Sequence, residues 1–288
     1  MQGKGIKIAL ATQTPEVTKN VPVSLLLGEW QEKLEKARKL PIDGLELMPA
    51  MPEELDAGAI RRQLQERNLS IAAVGTGAVV LNTGLTLLSQ DAQIAAKARE
   101  KLHRIIAFAG EVEAPLVTIG GFRGRGEKGQ YDAYEKLAEI LCQADEWAKE
   151  WNIRIVLEPL NRYESNIIQN AQQGIAFVRG LSCQRVGLLL DTFHMNLEER
   201  SMTEPFRQVM EAGLLWHVHV GDNNRLPVGG GAINFKAIVQ TLREIGYEGY
   251  LSAELLTHPD GDIAAGYTAR SLHALLETDS TNKEGSPI

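Results

Sequence analysis

Short apolar runs alternate with longer amphipathic stretches along the whole chain. Eight runs read as strands, at residues 6–11, 44–48, 70–74, 116–120, 153–157, 186–190, 214–220 and 250–254. Between them, apolar residues recur at helical spacing. Tyr134, Leu137, Ala138, Leu141, Ala144, Trp147, Ala148 and Trp151 form one such stripe, and Phe235, Ile238, Val239, Leu242 and Ile245 another, with Asn234 as an acceptable N-cap for the second. Alternating strand and helix units predict a parallel sheet covered by helices. An open doubly wound sheet would carry a glycine-rich turn after its first strand, but the chain reads Thr12-Gln13-Thr14-Pro15 there. The pattern therefore predicts an α/β fold, a (β/α)8 TIM barrel in a single domain over residues 1–277. Residues 278–288 are polar and aperiodic and read as a disordered tail.

Four of the runs end on residues able to hold a metal: Glu158, Asp191, His219 and Glu254. Their separations of 33, 28 and 35 positions (191 − 158, 219 − 191, 254 − 219) each match one strand, crossover helix and return loop. In a parallel barrel all strands end at one rim, where such folds keep their chemistry. Three carboxylates and an imidazole aimed at one point repel unless a cation lies between them. The set reads as a metal site. Its oxygen-rich character suits Mn²⁺ first, with Mg²⁺ or Co²⁺ as further candidates, rather than the thiolate tetrahedron of structural zinc. Strand alternation pairs Glu158 with Val156, Asp191 with Leu189, Glu254 with Ser252 and His219 with His217 on the inward face. His217, one layer deeper, reads as a hydrogen-bonded supporting residue rather than a ligand.

Composition narrows the function. The 288 residues are 44% hydrophobic and 23% charged, ordinary for a globular enzyme. A net charge of −7 argues against nucleic acid, which needs clustered Lys and Arg. No run approaches the length of a membrane span, and no signal peptide precedes the first strand. Two cysteines, Cys142 and Cys183, are too few for a disulfide framework, which points to a reducing, cytoplasmic setting.

Three segments carry a family resemblance: Glu158-Pro159-Leu160-Asn161-Arg162-Tyr163-Glu164, Asp191-Thr192-Phe193-His194-Met195-Asn196-Leu197-Glu198-Glu199, and His217-Val218-His219-Val220-Gly221-Asp222-Asn223-Asn224-Arg225. They resemble the sugar isomerase/epimerase barrels of the xylose-isomerase-like superfamily, closest to ketose 3-epimerases of the D-tagatose and D-psicose type. The resemblance is dense from Ile153 to Glu254 and thinner before Leu116. It implies Glu158, Asp191, His219 and Glu254 as metal ligands. Glu158 and Glu254 would be the proton-transferring pair, and Glu164, His194 and Arg225 would hold a small sugar substrate. It also implies self-association into a homo-oligomer. One departure weakens transfer of substrate preference: these 3-epimerases carry proline after the last glutamate, whereas this chain reads Glu254-Leu255-Leu256.

The chemistry is coherent on its own terms. A ketose presenting its carbonyl and a neighbouring hydroxyl to a divalent ion has an acidified α-proton, because the ion stabilises the enediolate that forms. Two glutamates on different strands can then remove and return that proton on opposite faces. The expected reaction is 3-epimerisation of a ketose, free or phosphorylated. Aldose-ketose or hydroxypyruvate isomerisation is the alternative on the same site. An endonuclease IV-like repair enzyme would need further histidines, yet the third and fourth strands end in Ala73-Val74-Gly75 and Thr118-Ile119-Gly120. A non-catalytic sugar-binding barrel would have no use for two intact glutamate bases. Two glycine-rich loops complete the reading. In Gly120-Gly121-Phe122-Arg123-Gly124-Arg125-Gly126, the arginines are placed to meet a substrate phosphate, or else belong to a solvated loop. Neither this loop nor Gly229-Gly230-Gly231 has Walker or dinucleotide spacing, so no nucleotide cofactor is expected.

Overall fold

The computed structural model describes residues 5–126 and 132–277; the tail expected at 278–288 lies outside them. Eight parallel strands, Lys7–Gln13 (β1), Gly44–Met48 (β2), Ser70–Gly75 (β3), Leu116–Ile119 (β4), Arg154–Leu157 (β5), Val186–Asp191 (β6), Leu215–Val220 (β7) and Tyr250–Ala253 (β8), close into a barrel in sequence order. β1 pairs with both β2 and β8, so no sheet edge is left open. Among the described residues, no helix is long and apolar enough to cross a membrane.

Each strand is apolar on both faces because the barrel is filled inside and covered outside. Ile155, Leu157, Leu188 and Leu190 face outward into the large core shared with the helices. Val156 and Leu189 face inward and pack with Ala73 and Leu116 as a closed plug, as strand alternation predicts. Three other inward positions on β1 to β3 are small: Ala9, Ala11 and Gly75. That side of the interior therefore has room for a longer side chain. Glu46 on β2, paired in register with Ala11 and Ala73, fills it.

A register shift between Leu188 and Leu189 leaves Trp216 without a partner on β6. Leu189 then pairs with His217, and Asp191 with His219, so both histidines face inward. The helices follow their apolar stripes. Helix Ala133–Trp151 buries Leu137, Leu141, Ala144 and Ala148, while the expected stripe members Tyr134 and Trp151 stay 41% and 43% exposed at its two ends. Asn152 stops it in a left-handed conformation at φ 54°. Helix Phe235–Glu244 starts where expected, with Asn234 accepting a hydrogen bond from the Ala237 N–H.

The inner plug makes a direct claim on stability. Leu189 is fully buried against Val156, Ala73 and Leu116. Leu189→Ala should lower unfolding stability by about 2–5 kcal/mol, measured by denaturant titration. A loss well under 1 kcal/mol would mean that the interior is loosely filled.

Candidate metal centre and active site

Glu158, Asp191, His219 and Glu254 meet at the C-terminal rim, each offering a ligand atom within 4.8 Å of the others. β6 carries Asp191 as its last residue, whereas Glu158 and Glu254 lie just past the ends of β5 and β8. Both glutamates are still tied to the sheet, Glu158 N–H to Ile119 O at 3.0 Å and Glu254 N–H to Val220 O at 3.3 Å. Asp191 Oδ1 accepts from the Phe193 N–H and so starts helix Thr192–Glu198, leaving Oδ2 turned inward. Glycines make the space. A Cβ on Gly120 would lie 2.2 Å from Glu158 Oε2, so any side chain there would evict the carboxylate.

The donor set fits a divalent cation. Glu158 Oε1, Asp191 Oδ2 and His219 Nδ1 are buried, and none has a hydrogen-bond partner. Buried polar atoms are seldom left this way, and three of them turned on one point mark a place for an ion. Without an ion the site resists its own charge. Burial, then the charge of Glu158, raises Asp191 to about 7. Burial and the neighbouring Glu254 likewise push Glu158 up. Burial disfavours the charged form of Arg225, but Glu254, Asp191 and Glu164 outweigh it and hold the guanidinium charged. Its Nη2 donates to Glu254 Oε2 at 2.9 Å, its Nη1 donates to Glu164 Oε1 at 3.2 Å, and its plane stacks 4.9 Å from the Phe193 ring centre.

His219 is held from behind by Glu46, which the sequence reading did not single out. Its Nε2 lies 3.0 Å from Glu46 Oε2, and the same oxygen meets His217 Nε2 at 2.9 Å. Thr118 Oγ1 adds a longer contact to Glu46 Oε1 at 3.4 Å. Burial alone would raise the Glu46 carboxyl, but His219 and His217 hold it well below the usual range. An ionised carboxylate at Nε2 keeps a proton on that nitrogen and turns the Nδ1 lone pair toward the rim. His217 thus supports Glu46 and stays below the ligand layer.

The sugar-holding candidates also meet here. His194, on helix Thr192–Glu198, is 2% exposed, and burial followed by the charge of Arg225 keeps it well below its ordinary pKa. Its Nδ1 accepts from the Asn161 N–H at 3.3 Å, so its proton sits on Nε2, 3.7 Å from Glu158 Oε1. Asn161, another residue not singled out in sequence, places its Nδ2 2.7 Å from His194 Nδ1 and 3.2 Å from Glu164 Oε1. Glu164 stands at the mouth, its side chain 40% exposed. Glu158, Glu164, His194, His219, Arg225 and Glu254 line a cavity of ≈ 310 Å³ to which Pro22, Val23, Val80, Leu81 and Leu256 add an apolar part of the lining. Leu255, where the resembled 3-epimerases carry proline, turns into the core, and the Leu256 N–H donates to Arg225 O at 2.7 Å.

Both glycine-rich loops serve the fold. Arg123 is fully buried and donates to the carbonyls of Glu158, Ile167 and Ile168. It braces the loop behind Glu158 and cannot meet a substrate phosphate. Arg125 donates to Tyr163 O at 2.8 Å. Residues 229–231 wrap the buried Asp222, whose carboxylate accepts from the N–H groups of Asn223, Gly229, Gly231 and Ile233. That anchor shapes the loop bearing Arg225, which itself adopts a φ of 58°.

A parallel barrel with a cation-competent acidic rim and a cavity the size of a small metabolite defines an enzyme class in which strand ends, more than loops, hold the reacting groups. The chain belongs to the xylose isomerase-like TIM barrel family, whose model matches residues 34–277. It is 30% identical over 230 residues to the L-ribulose 3-epimerase of Mesorhizobium japonicum, covering 79% of this chain and 75% of that one. Identity to the D-psicose 3-epimerase of Agrobacterium fabrum is 28% over 251 residues, 82% of this chain and 84% of that protein. A solved L-ribulose 3-epimerase structure superimposes with a TM-score of 0.79 over 97% of each chain at 26% identity.

Two outcomes follow for the ion. Asp191, raised to about 7, and His219, held well above its ordinary value by Glu46 and Glu158 against burial, carry protons that a cation must displace. Mn²⁺ affinity, titrated on ion-free protein, should therefore rise with pH through neutrality, with proton release. A flat affinity across that range would reject the assignment. Glu46→Gln removes the ionised acceptor behind His219 and should weaken Mn²⁺ binding about 10- to 100-fold while the folded circular dichroism signal is kept. Unchanged affinity would show that Glu46 does not act through His219.

Proposed function

We propose that this isomerase-class enzyme, a carbohydrate epimerase, inverts C3 of an unphosphorylated ketose, using Glu158 and Glu254 as the two proton-transferring groups. The observation that carries this reading is the convergence of the two glutamates on one cavity from β5 and β8, strands separated by β6 and β7 in the ring. Epimerisation takes a proton from one face of a planar carbon and delivers another to the opposite face, so it needs two groups with separate approaches. The relatives named as 3-epimerases of L-ribulose and D-psicose support the same position of attack.

Glu158, Asp191, His219 and Glu254 would hold the divalent ion, with Mn²⁺ favoured and Mg²⁺ or Co²⁺ as further candidates, because three hard carboxylates are joined by one borderline imidazole. Bound there, the ion would supply electrophilic stabilisation to the oxygens of a developing enediolate. The chain's own residues do the rest. His194, neutral and with its proton on Nε2, donates to a sugar oxygen near Glu158. Arg225 keeps Glu254 oriented and offers charge to a substrate oxygen, and Glu164 accepts from a hydroxyl at the mouth. Thr76 and Thr118, inside the cavity wall, are committed in part to the fold, Thr76 Oγ1 donating to Thr118 O at 2.8 Å.

The absence of phosphate from the proposed substrate rests on charge. Among the described residues lining the cavity, Arg225 is the one Lys or Arg, and it is already shared between Glu254 and Glu164. Arg123 is spent on backbone carbonyls, and the exposed Arg125, which donates to Tyr163 O, is not among the residues lining the cavity. A phosphate entering this acidic rim would meet repulsion without a compensating cation.

Turnover of ketoses with added Mn²⁺ in D₂O tests the reaction. Solvent deuterium should appear at C3 of the product, because the returning proton comes from a different carboxyl group than the one that took the original. Glu158→Gln and Glu254→Gln should each reduce kcat by roughly 10²- to 10⁴-fold. Label at C1 or C2 with an aldose product would replace the epimerase by the aldose-ketose isomerase.

A further inference from the structure

The two cysteines of the chain lie far from the rim and far apart in sequence, yet the fold brings them together. Cys142 sits on helix Ala133–Trp151 and Cys183 in the connection between helix Ala171–Arg179 and β6, and their sulfurs are 2.6 Å apart. Both are half-buried, so a small oxidant reaches them. The backbone on each side is already fixed. Asp145, one turn along the helix from Cys142, accepts from the Arg185 N–H at 2.6 Å, pinning the Cys183 segment to the helix independently of the sulfurs. Ser182 Oγ, 3.6 Å from Cys142 Sγ, completes a small polar patch around the pair.

We propose that Cys142 and Cys183 form a reversible redox-modification site, closing to an intramolecular disulfide at the N-terminal floor of the barrel. Burial and the adjacent Cys142 push the Cys183 thiol up to about 12, so Cys183 stays a thiol and the attacking thiolate is that of its neighbour. That thiolate attacks one peroxide oxygen. The O–O bond breaks, the other oxygen leaves with a proton as water or alcohol, and a sulfenic acid remains. The neighbouring thiol attacks the sulfenic sulfur, the S–O bond breaks, water leaves and the S–S bond forms. The two sulfurs together lose two electrons, which the peroxide gains. The second step needs only a short approach, because the two sulfurs are already 2.6 Å apart.

Closure would tie a loop spanning 41 positions that contains β5 and the segment bearing Glu158, Asn161 and Glu164. The bond itself would lie at the end of the barrel opposite those side chains. Oxidation therefore constrains the unfolded chain and slows loss of this unit without entering the cavity.

The full-length protein, treated with hydrogen peroxide at a modest excess and then quenched, tests this. The expected product is a monomer lighter by two hydrogens, with no titratable thiol, a Cys142–Cys183 linked peptide, and complete reversal by dithiothreitol. Its half-life for irreversible thermal inactivation should be about tenfold or more longer than that of Cys142→Ser or Cys183→Ser treated identically. Two surviving thiols, separate sulfinic or sulfonic products, or disulfide-linked dimers would overturn the pairing. A linked monomer that inactivates as fast as both serine variants would overturn the lock.

Discussion

Mutual repulsion among Glu158, Asp191 and Glu254 is the constraint around which the rest of the molecule is arranged. Three carboxylates in the mouth of a dry barrel cannot all ionise unaided: burial first, and neighbouring carboxylate charge after it, push Asp191 and Glu158 up. Arg225 answers from the solvent side and Glu46, through His219, from the interior. The first adds positive charge directly. The second adds a negative charge one layer deeper, which polarises the imidazole and makes its rim-facing nitrogen a better donor. The small inward residues of β1 to β3 are there because Glu46 must cross from β2 to reach two histidines on β7.

Much of this was legible in the sequence. The strands showed as apolar runs because both faces of each strand are buried. The rim residues showed because each interrupts the chain where its run ends, at one repeat spacing. Glu46 escaped because it lies inside a strand rather than at its end, and its partners are 171 and 173 positions away. Its one sequence signal is a charged residue in the middle of Gly44-Leu45-Glu46-Leu47-Met48. Asn161 was quoted within a motif, but its bridging of His194 and Glu164 depends on how two loops meet.

The arginine loop shows why composition misleads locally. Glycines interleaved with arginines look solvated or anion-binding, and in isolation either reading is sound. Arg123 is instead drawn inward by carbonyls of the β5 segment that no local pattern announces. The glycines at 229–231 carry the same lesson with the charges reversed. They approach an anion closely, as glycine-rich loops do, but that anion is Asp222 of the same chain.

The alanine-lined half of the barrel gives the enzyme a tuning position that a substrate never sees. Ala11 and Ala73 flank Glu46 in register on β1 and β3, Ala9 is the next inward position along β1, and none of the three lines the cavity. Drift at these positions would shift Glu46 by fractions of an ångström and alter the basicity of His219, and hence which cations the rim prefers. The wall behind β2 would then act on the rim-facing nitrogen of His219 while every residue of the cavity lining stays as it is.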